Sequence, residues 1–170
     1  MKKIVLFFAA FLLLLANSQA QEAKPESKLP SVSLKDLQGK TVDFQAAINP
    51  EKLTIISFWA TWCAPCKKEL DNVAEIYPEW QEKYNVELIA ISVDEARTAP
   101  KVKSTVAAKG WDYKVLIDSN QDLQRALNIS SVPFTMVINQ KGEIIYQHSG
   151  YKDGDEEELA VKLAEWTKAK

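Results

Sequence analysis

Two cysteines stand in the run Phe58-Trp59-Ala60-Thr61-Trp62-Cys63-Ala64-Pro65-Cys66, and the chain has no others. Their spacing is close to one helical turn, so the two thiols can close a disulfide with each other. A thiol at a helix N-terminus is also acidified by unpaired backbone N–H groups and the positive end of the helix dipole. A dithiol in that setting can take up and return two electrons. A structural disulfide and half a zinc site are the rival readings. A bridge over so short a loop removes little entropy from the unfolded chain and makes a weak staple. Zinc wants about four ligands, whereas the chain offers two thiols and a single histidine, His148. Redox exchange is the stronger reading, and it needs no metal and no cofactor beyond the thiols themselves.

The elements around the pair fit that use. Leu53 to Phe58 is an apolar, β-branched stretch that predicts a buried strand ending just before the motif. A helix is predicted to open at Pro65, where a proline's missing N–H is not needed. It places Leu70, Val73, Ala74, Tyr77, Trp80 and Tyr84 on one face, with a kink or restart expected at Pro78. Cys63, at the strand-to-helix junction, is the expected attacking thiol and the more exposed of the two. Cys66, one turn inside, is the expected resolving thiol. Of the flanking indoles, Trp59 is expected in the core. Trp62 is expected on the rim, as an apolar platform for a partner.

The rest of the chain alternates strand and helix patterns. Val32 to Phe44 predicts a hairpin turning between Asp36 and Lys40. Val86 to Val93 is a second apolar strand, and Thr98 to Lys109 a helix closed by Gly110. Tyr113 to Ile117 is a short strand, and Asp118-Ser119 is expected to cap a helix carrying Leu123, Ala126 and Leu127. Phe134 to Asn139 and Glu143 to His148 read as strands joined by a turn ending at Gly142. Asp155 to Lys168 reads as a closing helix with acids in its first turn and lysine in its last. The order hairpin, then β-α-β-α-β-α-β-β-α, predicts an α/β fold with a mixed open sheet. His148 reads as an ordinary strand-end residue and Asp155 to Glu158 as an acidic first turn.

At the N-terminus, Lys2 and Lys3 precede an apolar run from Ile4 to Ala16, followed by Ser18-Gln19-Ala20. That is the pattern of a signal peptide over residues 1–20, and the run is shorter than the ~20 residues of a spanning helix. The expectation is export to the periplasm with no stable membrane insertion of the mature chain; an uncleaved anchor is the rival. Residues 21–30 read as a flexible leader and 31–170 as one domain. The chain carries 21 basic and 23 acidic side chains, with both signs interleaved. No basic stripe marks a nucleic-acid partner.

Three segments together resemble the TlpA/ResA-like group of exported thiol–disulfide oxidoreductases of the thioredoxin superfamily. They are Phe58 to Glu69, Ser131-Val132-Pro133-Phe134-Thr135, and the hairpin around Gly142. The resemblance implies a thioredoxin-like fold: a mixed central sheet flanked by helices, with an N-terminal β-hairpin extension and an inserted βα unit. It implies that Pro133 is cis and packs beside the dithiol, and that the backbone of Val132 before it pairs with a substrate strand. Ser131 stands where glycine is frequent and Phe134 where threonine is, which bears on substrate preference. The aspartate of cytosolic-type thioredoxins, six positions before the first cysteine, is replaced here by Ser57. ResA-like proteins carry a functional glutamate where this chain has Glu69, which implies that Glu69 moves the proton of Cys66. The plainer alternative puts Glu69 in a surface charge network with Lys67 and Lys68.

The resemblance also implies a reducing direction. The partners it implies are disulfide-containing exported proteins, apocytochrome c among them, and a membrane protein that donates electrons. Two other functions on the same fold are weaker. Copper-delivery proteins space their cysteines C-x-x-x-C, not C-x-x-C. Thiol peroxidases resembling peroxiredoxins need a threonine three residues before the reactive cysteine, and Ala60 holds that place.

Overall fold

A computed structural model describes residues 29–168. The signal segment 1–20 and most of the leader lie outside the described residues. Seven strands form one sheet: β1 (Ser33–Asp36), β2 (Thr41–Asp43), β3 (Leu53–Trp59), β4 (Val86–Ser92), β5 (Lys114–Ile117), β6 (Phe134–Ile138) and β7 (Ile144–Ser149). Their order across the sheet is β2-β1-β5-β4-β3-β6-β7. β3, β4 and β5 are parallel, while β6 lies antiparallel to β3 and β7 to β6. The hairpin β1–β2 extends the sheet beyond β5, to which β1 pairs antiparallel. Every residue of β3 is buried, as expected of a central strand covered on both faces.

Five helices complete the described fold: α1 (Phe44–Ala47), α2 (Ala64–Tyr84), α3 (Pro100–Lys109), α4 (Asp122–Ala126) and α5 (Asp155–Lys168). The sheet, the hairpin extension and the α3–β5 unit inserted after β4 give the mixed α/β architecture expected of the sequence. Leu29 is already buried, and its carbonyl accepts a hydrogen bond from the Gln45 side chain.

Two local expectations are corrected. Phe44 does not end the hairpin; it starts α1, whose N-terminus is capped by the Asp43 carboxylate accepting from the Ala46 N–H. Helix α2 starts at Ala64 and runs through Pro78 without restarting. An interior proline costs about 3 kcal/mol, but the flanking Tyr77 and Trp80 are both buried, and each contributes about 2 kcal/mol on burial. As expected, Asp118 caps α4, from four residues upstream, accepting from the N–H groups of Asp122 and Gln124. The Gly142 turn, with φ +76°, is in the left-handed region that favours glycine.

Candidate active site

Strand β3 ends at Trp59, and the next four residues turn the chain into α2. The turn is pinned by Asp94, which follows β4 and is fully buried. The Asp94 carboxylate accepts from the Thr61 N–H at 2.7 Å and the Thr61 hydroxyl at 2.6 Å. Ser92 donates to the same carboxylate at 2.9 Å. Lys67 reaches back from α2 and donates to the Thr61 carbonyl. These bonds fix the backbone immediately ahead of Cys63.

Cys63 is the N-cap of α2, and its Sγ accepts the Cys66 N–H at 3.3 Å. The two sulfurs are joined as a disulfide, with Cα atoms 5.4 Å apart. Cys63 is 5% exposed and Cys66 fully buried. The order of exposure is the one expected, yet even Cys63 offers little surface. In the reduced protein a thiolate at Cys63 would receive the same N–H and face the positive end of a long helix.

Two aromatic residues flank the motif in opposite ways. Trp59 is buried and packs edge-on against Trp111, ring centroids 5.0 Å apart. Trp62 is 66% exposed and borders a groove of about 240 Å³ with Arg97, Thr98 and Gln121.

The second wall comes from the turn before β6. The Val132–Pro133 peptide bond is cis. Phe134 pairs with Phe58, so the register sets Pro133 beside the end of β3 that delivers the dithiol. The Pro133 carbonyl accepts from Gly150 N–H at 2.9 Å. Pro133 is buried and Val132 half-buried.

Glu69 lies on α2 one turn beyond Cys66 and is only 8% exposed. The Thr135 hydroxyl of β6 donates to its Oε1 at 2.5 Å. Its Oε2 is buried without a hydrogen-bond partner. Burial, reinforced by the negative charges of Asp155 and Glu156, pushes its pKa up to about 7; the Thr135 bond opposes this. The Ser57 hydroxyl also favours the carboxylate slightly, although it lies outside hydrogen-bond geometry. A surface charge network is therefore not the setting of Glu69. Lys67 is turned to Thr61, and Lys68 pairs with Asp153.

His148 is corrected as well. Strand β7 pairs it with Thr135, so it stands beside the Glu69 site, and its Nε2 lies 3.1 Å from Asp155 Oδ2. Asp155 to Glu158 do form the acidic first turn of α5, but Asp155 and Glu156 also face Glu69. Asp94, Thr135, His148 and Asp155 were not legible as one neighbourhood. Asp94 alone carried a signal, since it follows the C-terminal end of a parallel strand, where open α/β sheets place their sites.

An N-capping disulfide at a strand-to-helix junction, walled by a proline turn and backed by a buried carboxyl, defines a thiol–disulfide exchange protein. Residues 25–147 match the AhpC/TSA family. Thiol-disulfide oxidoreductase ResA of Bacillus thuringiensis (strain Al Hakam) is 32% identical over 133 residues, covering 78% of this chain and 74% of the relative. A solution structure of an uncharacterized thioredoxin-like protein from Porphyromonas gingivalis is 46% identical, covers 83% of this chain and 92% of that one, and superposes with TM-score 0.74. StoA from Bacillus subtilis is 26% identical, covers 82% of this chain and 97% of its own, with TM-score 0.62. The chain belongs to the AhpC/TSA family and, within it, to the ResA-like thiol–disulfide oxidoreductases of the thioredoxin superfamily.

Proposed function

We propose that this oxidoreductase works outside the cytosol as a reductant of disulfides in exported proteins. Cys63 attacks the substrate disulfide and Cys66 resolves the mixed disulfide. Glu69 accepts the proton of Cys66, and the Val132–Pro133 turn and Trp62 hold the substrate segment. The observation that carries this reading is the Cys63 sulfur capping α2 with the buried Glu69 carboxyl one turn beyond Cys66. A carboxyl with a pKa of about 7 is poised to give or take a proton at neutral pH. Val132 makes no backbone hydrogen bond to any described residue, which leaves its N–H and C=O open to an incoming strand.

The signal-peptide pattern supports export. The name of the ResA relatives supports disulfide exchange, and apocytochrome c is proposed as an acceptor on the family resemblance. With two cysteines in all, the chain cannot pass electrons to a third thiol of its own. A membrane protein is proposed to re-reduce it.

The deciding measurement is the equilibrium potential of the Cys63–Cys66 pair against dithiothreitol. A value near thioredoxin's, about −270 mV, is expected; one near about −120 mV would make the protein an oxidant and reject the reductant reading.

A further inference from the structure

Glu69, whose Oε2 is buried without a hydrogen-bond partner, lines a small pocket of about 20 Å³ together with His148, Asp155, Glu156 and Tyr151. That volume admits about one water molecule, and its polar wall offers a water the two to four partners it needs. The carboxyl is buried on α2 between β6 and α5, so a proton it takes from Cys66 reaches solvent past the residues that line this pocket.

We propose that the Asp155–His148 pair is the outer end of a proton path linking the Glu69 carboxyl, through a water in this cavity, to solvent. The inference rests on the reading that Glu69 accepts the proton of Cys66.

The geometry separates this route from its neighbours. Glu156 is engaged on both oxygens: Asn72 donates to Oε1 at 3.1 Å and Tyr151 to Oε2 at 3.0 Å. Burial and then the Glu156 carboxylate push the Tyr151 phenol up to about 12, so it keeps its proton. Thr135 is committed to Glu69 Oε1, and Tyr146 stacks on the His148 ring. Lys152 donates its backbone N–H to Asp155 Oδ2, with its ammonium 3.9 Å from Oδ1. Asp155 is thereby oriented toward His148. The Asp155 side chain is 11% exposed and that of His148 37%, so the pair steps from interior to surface. An imidazole can take a proton on one nitrogen and release one from the other.

The Cys63 thiolate breaks the substrate S–S bond and forms a mixed disulfide; the first substrate thiolate leaves and is protonated by solvent. Cys66 gives its proton to the Glu69 carboxylate, and its sulfur attacks Cys63 Sγ. The mixed disulfide breaks, the Cys63–Cys66 bond forms, and the second substrate thiolate leaves to be protonated by solvent. Two electrons have passed to the substrate. The proton on Glu69 then leaves through water and the Asp155–His148 pair.

The test is steady-state reduction of a small peptide disulfide, with dithiothreitol as electron source, by wild type, His148→Gln and Glu69→Gln. The His148→Gln variant keeps a polar group against Asp155, and its melting temperature is checked alongside. Expected is a loss of turnover of about tenfold or more in His148→Gln, restored by added imidazole, and a loss in Glu69→Gln that imidazole does not restore. A His148→Gln turnover within about twofold of wild type, or a loss that imidazole leaves untouched, overturns the path. If Glu69→Gln is slow while His148→Gln is normal, the path alone fails. If Glu69→Gln is as active as wild type, the underlying reading of Glu69 fails with it.

Discussion

Glu69 places an ionisable group where the surroundings oppose its charge. In the unfolded chain its carboxyl titrates near 4.5; in the fold, burial chiefly raises it to about 7. Below about pH 4.5 both states hold the proton, and the site carries no charge penalty. Between the two values the unfolded chain ionises first, so stability falls as pH rises and levels above about 7. The shift corresponds to about 3 kcal/mol at most. Glu69→Gln should remove this slope and leave the oxidised protein more stable than wild type at about pH 8. Urea unfolding at about pH 5 and about pH 8 measures it; an undiminished slope in the variant would contradict the assignment.

At the scale of elements, adjacent strands converge on the dithiol: β3 delivers Cys63, β4 delivers Asp94, and β6 delivers Pro133 and Thr135. Asp94 joins two of them, binding the N–H and hydroxyl of Thr61. Asp94→Ala would leave those half-buried donors unpaired, at about 1–3 kcal/mol. It should also free the backbone ahead of Cys63, so that iodoacetamide labels the reduced thiol faster than in wild type. Asp94→Asn, which keeps an acceptor, should lie between the two. The strand–dithiol–helix unit was legible because Leu53 to Phe58 is uniformly apolar and Pro65 suits a first helical turn. The β6–β7 hairpin was legible too, from the turn at Gly142, but its residue-by-residue register and the docking of α5 on α2 were not, since neither leaves a local mark. His148 and Asp155 therefore looked ordinary until register and packing brought them to Glu69. Helix α1 is too short for periodicity to reveal it, although Asp43 carried the cap signal.

Across the whole molecule, the exposed Trp62 and the scarcely exposed Cys63 set different demands on different substrates. A polypeptide can lie along the indole and the Val132 backbone while presenting its disulfide, whereas a small disulfide uses neither. Trp62→Ala should lower kcat/KM for a protein disulfide by about fivefold or more, the loss expected of an aromatic interface anchor. Oxidised glutathione should be reduced at nearly the wild-type rate. An equal loss on both substrates would make Trp62 a support of the dithiol rather than a docking residue. The sheet also has polarity. β1 runs against β5, so Ser33 lies at the same end of the sheet as the dithiol, three strands from β3 in the order β1-β5-β4-β3, about 14 Å. Helix α5 finishes at the opposite pole, where the Thr167 hydroxyl donates to the Tyr84 carbonyl at the end of α2. A bait immobilised through its C-terminus would thus hold its sulfurs away from the support. Cys66→Ser anchored that way should capture mixed-disulfide partners.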